Sequence, residues 1–141
     1  MRSAGDPAPG VERAVSSSGD THEEACDREL EAEGYIVDKR KGRKFQAQDT
    51  FGCLDRIALK PDSPVRGVQV TSGGNAGHRK RKVERGIGMV YKPGSELAAH
   101  LTVEVWEWGH DARSGRDGFK KERYLGGYGD TAWVTTQKRG G

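Results

Sequence analysis

At 141 residues the chain is long enough for one domain and little more, since single domains commonly run to about 100–200 residues. Apolar residues make up 33% of it and charged residues 32%, so the core must be small and its apolar side chains gathered into a few segments. Lys and Arg total 24 against 21 Asp and Glu, a net charge of +3, too small a surplus to demand a polyanionic partner by its total alone. No stretch approaches the roughly 18 apolar residues needed to cross a bilayer, and no apolar secretory segment opens the chain, which predicts no membrane association and a cytoplasmic protein. Cys26 and Cys53 lack CxxC spacing and a neighbouring His cluster, a pattern that predicts reduced, packing cysteines rather than a disulfide or a zinc site.

Residues 1–20 hold Gly, Pro and Ser with few large apolar side chains and are read as a flexible tail. Thr21-His22-Glu23-Glu24 has the form of a capping box and predicts a helix over 22–33, ended by Gly34. Tyr35-Ile36-Val37 suits a strand. The run Lys39-Arg40-Lys41-Gly42-Arg43-Lys44 predicts an exposed loop, either a solvated turn or a phosphate-contacting one. Residues 51–59 and 65–71, separated by Lys60-Pro61-Asp62-Ser63-Pro64, read as a hairpin of two strands. A glycine-rich link over 72–75 leads to residues 78–85, whose composition predicts a basic helix with hardly any apolar stripe, mostly facing solvent. Leu101 to Trp108 alternates with period two, the pattern of a strand covered on one face, with Leu101, Val103 and Val105 directed to the core and Trp106 and Trp108 sharing the other face. The remainder predicts a short strand or two, then a loose end over 137–141, leaving 21–136 as one domain.

Chemistry concentrates on the hairpin. Asp55 sits in an otherwise apolar run, and Gln69 and Thr71, two residues apart, share one face of the next strand while Val70 points to the other. A hard divalent ion takes oxygen ligands, keeps several waters and needs only one or two carboxylates from the protein. Asp55, the Gln69 amide oxygen, the Val70 carbonyl and a carboxylate of the first helix would supply such a set. On Asp55 alone, a structural carboxylate bonded to backbone amides is the competing reading.

The order of a Glu-bearing helix, Gly34-Tyr35-Ile36-Val37, Phe51-Gly52-Cys53-Leu54-Asp55-Arg56-Ile57-Ala58, and Gly67-Val68-Gln69-Val70-Thr71-Ser72-Gly73-Gly74-Asn75 followed by basic residues resembles the PD-(D/E)xK nucleases. Within them it is similar to small phage and bacterial relatives of archaeal Holliday junction resolvases, and the Val103-Glu104-Val105-Trp106-Glu107-Trp108 strand resembles the last core strand of the phage members. The resemblance spans roughly residues 21–108. It implies an α/β, restriction-endonuclease-like core: a central mixed β-sheet with the first helix on one face and the basic helix on the other. It places Asp55 at the metal-binding Asp, Gln69 at the Asp/Glu position and Thr71 at the Lys position, so two of three motif residues are substituted. Lys80 or Lys82 of the basic helix would reach in for the missing lysine. The helical acid would be Glu23 or Glu24, with Glu24 preferred.

What the resemblance implies is a Mg²⁺- or Mn²⁺-dependent endonuclease acting on DNA, including branched or structured DNA, in a bacterial cell or phage-infected host. The DNA-contacting candidates are Arg43 and Lys44 from the first basic run, Asn75 from the glycine-rich link, and Arg79, Lys80, Arg81 and Lys82 from the helix. Resolvases of this type act as symmetric dimers, which leaves a homodimer as an open expectation. Two alternatives stand beside this reading: a non-catalytic nucleic-acid-binding protein on a degenerate nuclease core, and a phage structural or interaction protein.

Overall fold

A computed structural model of the protein describes residues 19–39 and 50–139. The N-terminal tail, most of the first basic run with Arg43 and Lys44, and the last two residues lie outside the described residues. Helix α1 (Gly19–Ala32) leads into β1 (Ile36–Lys39), β2 (Arg56–Leu59) and β3 (Val65–Ser72). Helix α2 (Ala76–Ile87) and the short α3 (Glu96–His100) precede β4 (Leu101–Asp111), β5 (Arg116–Tyr124) and β6 (Trp133–Gln137). The six strands form one sheet in chain order, β1-β2-β3-β4-β5-β6. Only the β3–β4 pair is parallel, and it is the pair whose connection crosses over through α2 and α3, as a parallel junction requires. The protein is thus α/β, a six-stranded mixed sheet flanked by helices.

Two apolar clusters lie on opposite faces of this sheet. On one, Ala25, Cys26 and Leu30 of α1 pack with Ala58, Val68, Val70, Trp106 and Phe119. On the other, Ala76, Val83 and Ile87 of α2 pack with Cys53, Leu54, Val103, Val105, Tyr91, Tyr124 and Trp133. The placement of the two helices on opposite faces, and of Leu101, Val103 and Val105 against a core, agrees with the sequence pattern. Gly34 ends α1 as expected: its φ of 96° is left-handed, and Gly34 N–H to the Glu31 carbonyl (3.0 Å) with Tyr35 N–H to the Leu30 carbonyl (3.1 Å) closes the last turn. Cys26 and Cys53 are buried thiols outside any disulfide, and burial beside Asp27 pushes the Cys26 thiol far up, so it stays protonated. Among the described residues no helix is long and apolar enough to cross a membrane.

Four expectations are corrected. Helix α1 begins at Gly19, so Thr21 lies within the helix and the capping-box start does not hold. Residues 50–54 are not strand: Phe51 and Gly52 have φ of 55° and 72°, and Cys53 N–H donates to the Thr50 carbonyl at 3.0 Å, so the chain folds into a tight turn and β2 starts only at Arg56. Helix α2 is not mostly solvent-facing, because Ala76, Val83, Glu84 and Ile87 are buried. Strand β4 is covered on both faces rather than one: Glu104 and Trp106 are buried opposite Val103 and Val105.

Polar side chains complete what few apolar ones leave open. Arg56 donates Nε to Asp27 Oδ1 at 2.6 Å and Nη2 to Oδ2 at 3.3 Å, a buried bidentate pair joining β2 to α1. Arg66 holds both oxygens of Glu104 at 2.9 and 2.8 Å, and Trp106 Nε1 donates to the same carboxylate at 2.8 Å. Lys121, over the Trp106 ring at 3.9 Å, donates to Glu29 of α1. On the other face, buried Glu84 accepts Trp133 Nε1 at 2.8 Å.

Removing one partner of a buried pair strands the other charge, at a cost of about 3–5 kcal/mol. Asp27→Ala is therefore expected to lower the unfolding free energy by about that amount in urea denaturation, and an unchanged midpoint would show that Glu23, 3.7 Å from Arg56, suffices alone. Glu104 supplies a pH dependence. Burial by itself would raise its pKa, but the hydrogen bonds and charge of Arg66 more than offset that and hold it below its ordinary 4.5. A carboxylate so depressed contributes stability above about pH 4.5 that is lost as pH falls through its folded-state pKa. Glu104→Gln is expected to be less stable at neutral pH with a shallower acid limb below about pH 4.5; parallel acid limbs would contradict this.

Candidate active site

The site is built from the turn before β2 and from the middle of β3. Asp55 follows the 50–54 turn, and its N–H donates to the Val68 carbonyl at 2.9 Å, extending the β2–β3 ladder by one residue. Its neighbour Arg56 runs to the α1 face, and successive strand side chains alternate, so the Asp55 carboxylate turns to the α2 face. There Oδ2 accepts from Gln69 Nε2 at 2.6 Å and from the Val70 N–H at 2.9 Å. Asp55 is half-buried, neither immersed in a hydrophobic core nor turned away from Gln69.

Gln69 is 1% exposed. Since the carboxylate only accepts, it fixes the amide with Nε2 toward Asp55. Gln69 Oε1 then points elsewhere, buried and with no hydrogen-bond partner among the described residues, an uncommon state for a buried oxygen and one that calls for a reason. Thr71, also buried, lies next on the same face. Val70 sends its side chain into the α1 cluster. Strand geometry directs its carbonyl to the same side as its N–H, the Asp55 side.

Glu107 of β4 lies in register with Thr71 and was not among the sequence candidates. Its Oε2 accepts from the Ala76 N–H at 3.3 Å in the first turn of α2, and its Oε1 from Arg139 at 3.1 Å. Period-two spacing puts Glu107 on the face of Val103 and Val105, but only the parallel β3–β4 register sets it beside Thr71, and that register is not written in local sequence.

The other candidates fall elsewhere. Lys80 Nζ donates to Glu122 of β5 at 2.9 Å and lies 5.9 Å from the Trp133 ring centre, so its charge is drawn toward β5. Glu24 is exposed, on a helix that packs over the face opposite the Gln69 side chain; of the two adjacent acids it is Glu23 that approaches Arg56, the residue next to Asp55. Among the DNA-contacting candidates, Arg81 pairs with Glu84 and Asp130, Asn75 is exposed and donates to the Ser72 carbonyl, and Arg79 and Lys82 are partly exposed on α2, which also carries the exposed Arg85. His78 is an exposed residue of α2.

Among the described residues no group of three or more His, Cys, Asp or Glu side chains is placed to hold a metal ion. The oxygens this strand pair offers are the Asp55 carboxylate, the Val70 carbonyl on the same side and, with the amide turned over, the partnerless Gln69 Oε1. This all-oxygen set with a single charge fits a hard divalent cation that keeps most of its waters, and does not fit a softer metal. No family model, curated protein or solved structure matches the chain.

The geometry makes Asp55 the acceptor on which two buried donors depend. Asp55→Ala is expected to cost about 1–3 kcal/mol through the unsatisfied Gln69 amide and Val70 N–H, and to speed hydrogen exchange at the Val70 amide, whereas Asp55→Asn keeps an acceptor there and most of the protection. Unchanged exchange at Val70 in Asp55→Ala would contradict the assigned hydrogen bond.

Proposed function

We propose that the chain is a metal-dependent endonuclease that hydrolyses DNA phosphodiester bonds from a restriction-endonuclease-like core of the PD-(D/E)xK kind, with branched or otherwise structured DNA as its substrate. The observation that carries this reading is the half-exposed Asp55 carboxylate held against Gln69 and Val70 on the strand that also bears Thr71. The order of elements supports it as well: helix, strand, hairpin, basic helix and a further strand are what the resemblance implies, and α1 and α2 lie on opposite faces of the sheet.

In this reading Asp55 and the Val70 carbonyl would hold Mg²⁺ or Mn²⁺, and a turn of the Gln69 amide would bring Oε1 to the ion in place of Nε2. The bound ion supplies an acidified water and charge stabilisation at the phosphate. Until then the hydrogen bond from Gln69 keeps the Asp55 carboxylate from rotating away. Thr71 places a neutral hydroxyl where the family carries a lysine; it can orient a water by donating and accepting hydrogen bonds but adds no positive charge. Arg79, Lys82 and Arg85 on α2 neutralise phosphates flanking the scissile bond, a contact independent of base sequence.

One observation favours a second reading. The Gln69 N–H already answers the Asp55 charge, and Lys80 is paired with Glu122, so the same arrangement also suits a DNA-binding protein that kept the core and lost the chemistry. Incubating the purified protein with Mg²⁺ or Mn²⁺ and duplex, flapped and four-way DNA separates the two. Cleavage that falls at least about 100-fold in Asp55→Asn, which keeps the local hydrogen bond, supports the nuclease, and Gln69→Glu is expected to raise the rate by restoring a second carboxylate. Salt-sensitive binding without cleavage supports the second reading, and cleavage indifferent to Asp55→Asn rejects the site.

A further inference from the structure

Phe51 is held in a conformation its side chain disfavours. The turn over residues 50–54 has positive φ at both central positions, 55° at Phe51 and 72° at Gly52. Turns of that kind select Asn, Asp or Gly at the first position, and a bulky residue there is an outlier. Among the described residues the other non-glycine one with positive φ is Asp62, whose short polar side chain tolerates it. Phe51 is nonetheless 70% exposed, so the ring does not offset the strain by packing. The turn itself is rigidly seated: a methyl group added at Gly86 of α2 would lie 3.1 Å from both Cys53 Sγ and the Phe51 carbonyl oxygen, and Cys53 and Leu54 are wholly buried. An aromatic ring is thus presented to solvent on a firm base, four residues before Asp55, against a helix whose adjacent residue is the exposed Arg85.

We propose that Phe51 is a base-stacking residue: its ring takes the face of an unpaired nucleobase of the DNA, while Arg85 contacts the neighbouring phosphate. Strain at an exposed residue marks a selected rather than a structural role. An aromatic face beside cations is the usual platform for bases freed from a duplex, because every base has a π-face and each stack contributes about 1–3 kcal/mol. A fully paired duplex hides those faces, so Phe51 selects DNA with unstacked nucleotides next to the scissile bond. This rests on the DNA-hydrolase reading above and specifies its substrate.

The test is fluorescence anisotropy in EDTA at low salt, with a labelled oligodeoxythymidylate and a labelled duplex of equal length, on the wild type, Phe51→Asn and Phe51→Trp. Asn suits the turn, so Phe51→Asn is expected to unfold at the same or higher denaturant concentration while its single-strand affinity drops about 5- to 100-fold and its duplex affinity changes less than about twofold. Phe51→Trp is expected to bind the single strand at least as well as the wild type. Wild-type single-strand affinity in Phe51→Asn, or an equal loss on both DNAs, overturns the stacking role and leaves the hydrolase reading standing. A wild type that binds neither DNA overturns both.

Discussion

The buried Arg56–Asp27 pair governs the architecture around the site. Arg56 is committed to α1 through two hydrogen bonds and the nearby Glu23, and a guanidinium removed from water cannot leave such partners without a cost of several kcal/mol. With Arg56 pinned to one face, alternation along the strand leaves Asp55 no choice but the other. There it meets Gln69 and the Val70 N–H. One ion pair therefore docks the first helix, fixes where β2 begins and aims the Asp55 carboxylate on which the proposed chemistry would depend.

The same economy recurs through a chain with few large apolar side chains. Trp106 is fully buried because its indole N–H finds Glu104 and its ring receives Lys121, while Arg66 bridges Glu104 to Glu33. Trp133 is buried against Glu84 in the same manner. A network of this kind specifies one arrangement strictly, since each member left alone in a low-dielectric interior is heavily penalised. It also explains why a sheet of six strands stands on so modest an apolar fraction: charged residues with long aliphatic stems cover part of the aromatic surface that a larger core would bury.

Much of the fold was legible because local rules carry it. Gly34 ends α1 through its left-handed conformation, Gln69 and Thr71 share a face by period two, and Val103 and Val105 meet the core. What was not legible depends on partners far along the chain. The apolar stripe of α2 is Ala76, Val83 and Ile87, with Lys80 standing at the stripe position between them and disguised by its charge; Glu122, 42 residues on, is what lets it lie there. Glu104 reads as the solvent side of an alternating strand until Arg66, 38 residues earlier, is seen to hold it. The turn at Phe51 defeats sequence reading for the opposite reason. Its residue contradicts the local preference, so the run looks like strand, and Glu107 came beside Thr71 only through a parallel register.

Gln69 is where these lines meet. An acid in its place would set two carboxylates against each other, a repulsion that only a cation or a proton relieves. The amide instead donates to Asp55, so the apo site is stable without any ion, and the residual imbalance is shifted to a single buried, partnerless oxygen. If the chain is the proposed nuclease, glutamine here would give up cation affinity for a carboxylate held in place by its own neighbour. On the proposed reading the phosphate of the substrate would help to complete the ion's coordination, because a single carboxylate holds a hard cation weakly. In the proposed nuclease metal and nucleic acid would each strengthen the other's binding, and the turn before Asp55, seated on Gly86 of the basic helix, would tie the surface that meets the DNA to the carboxylate that meets the ion.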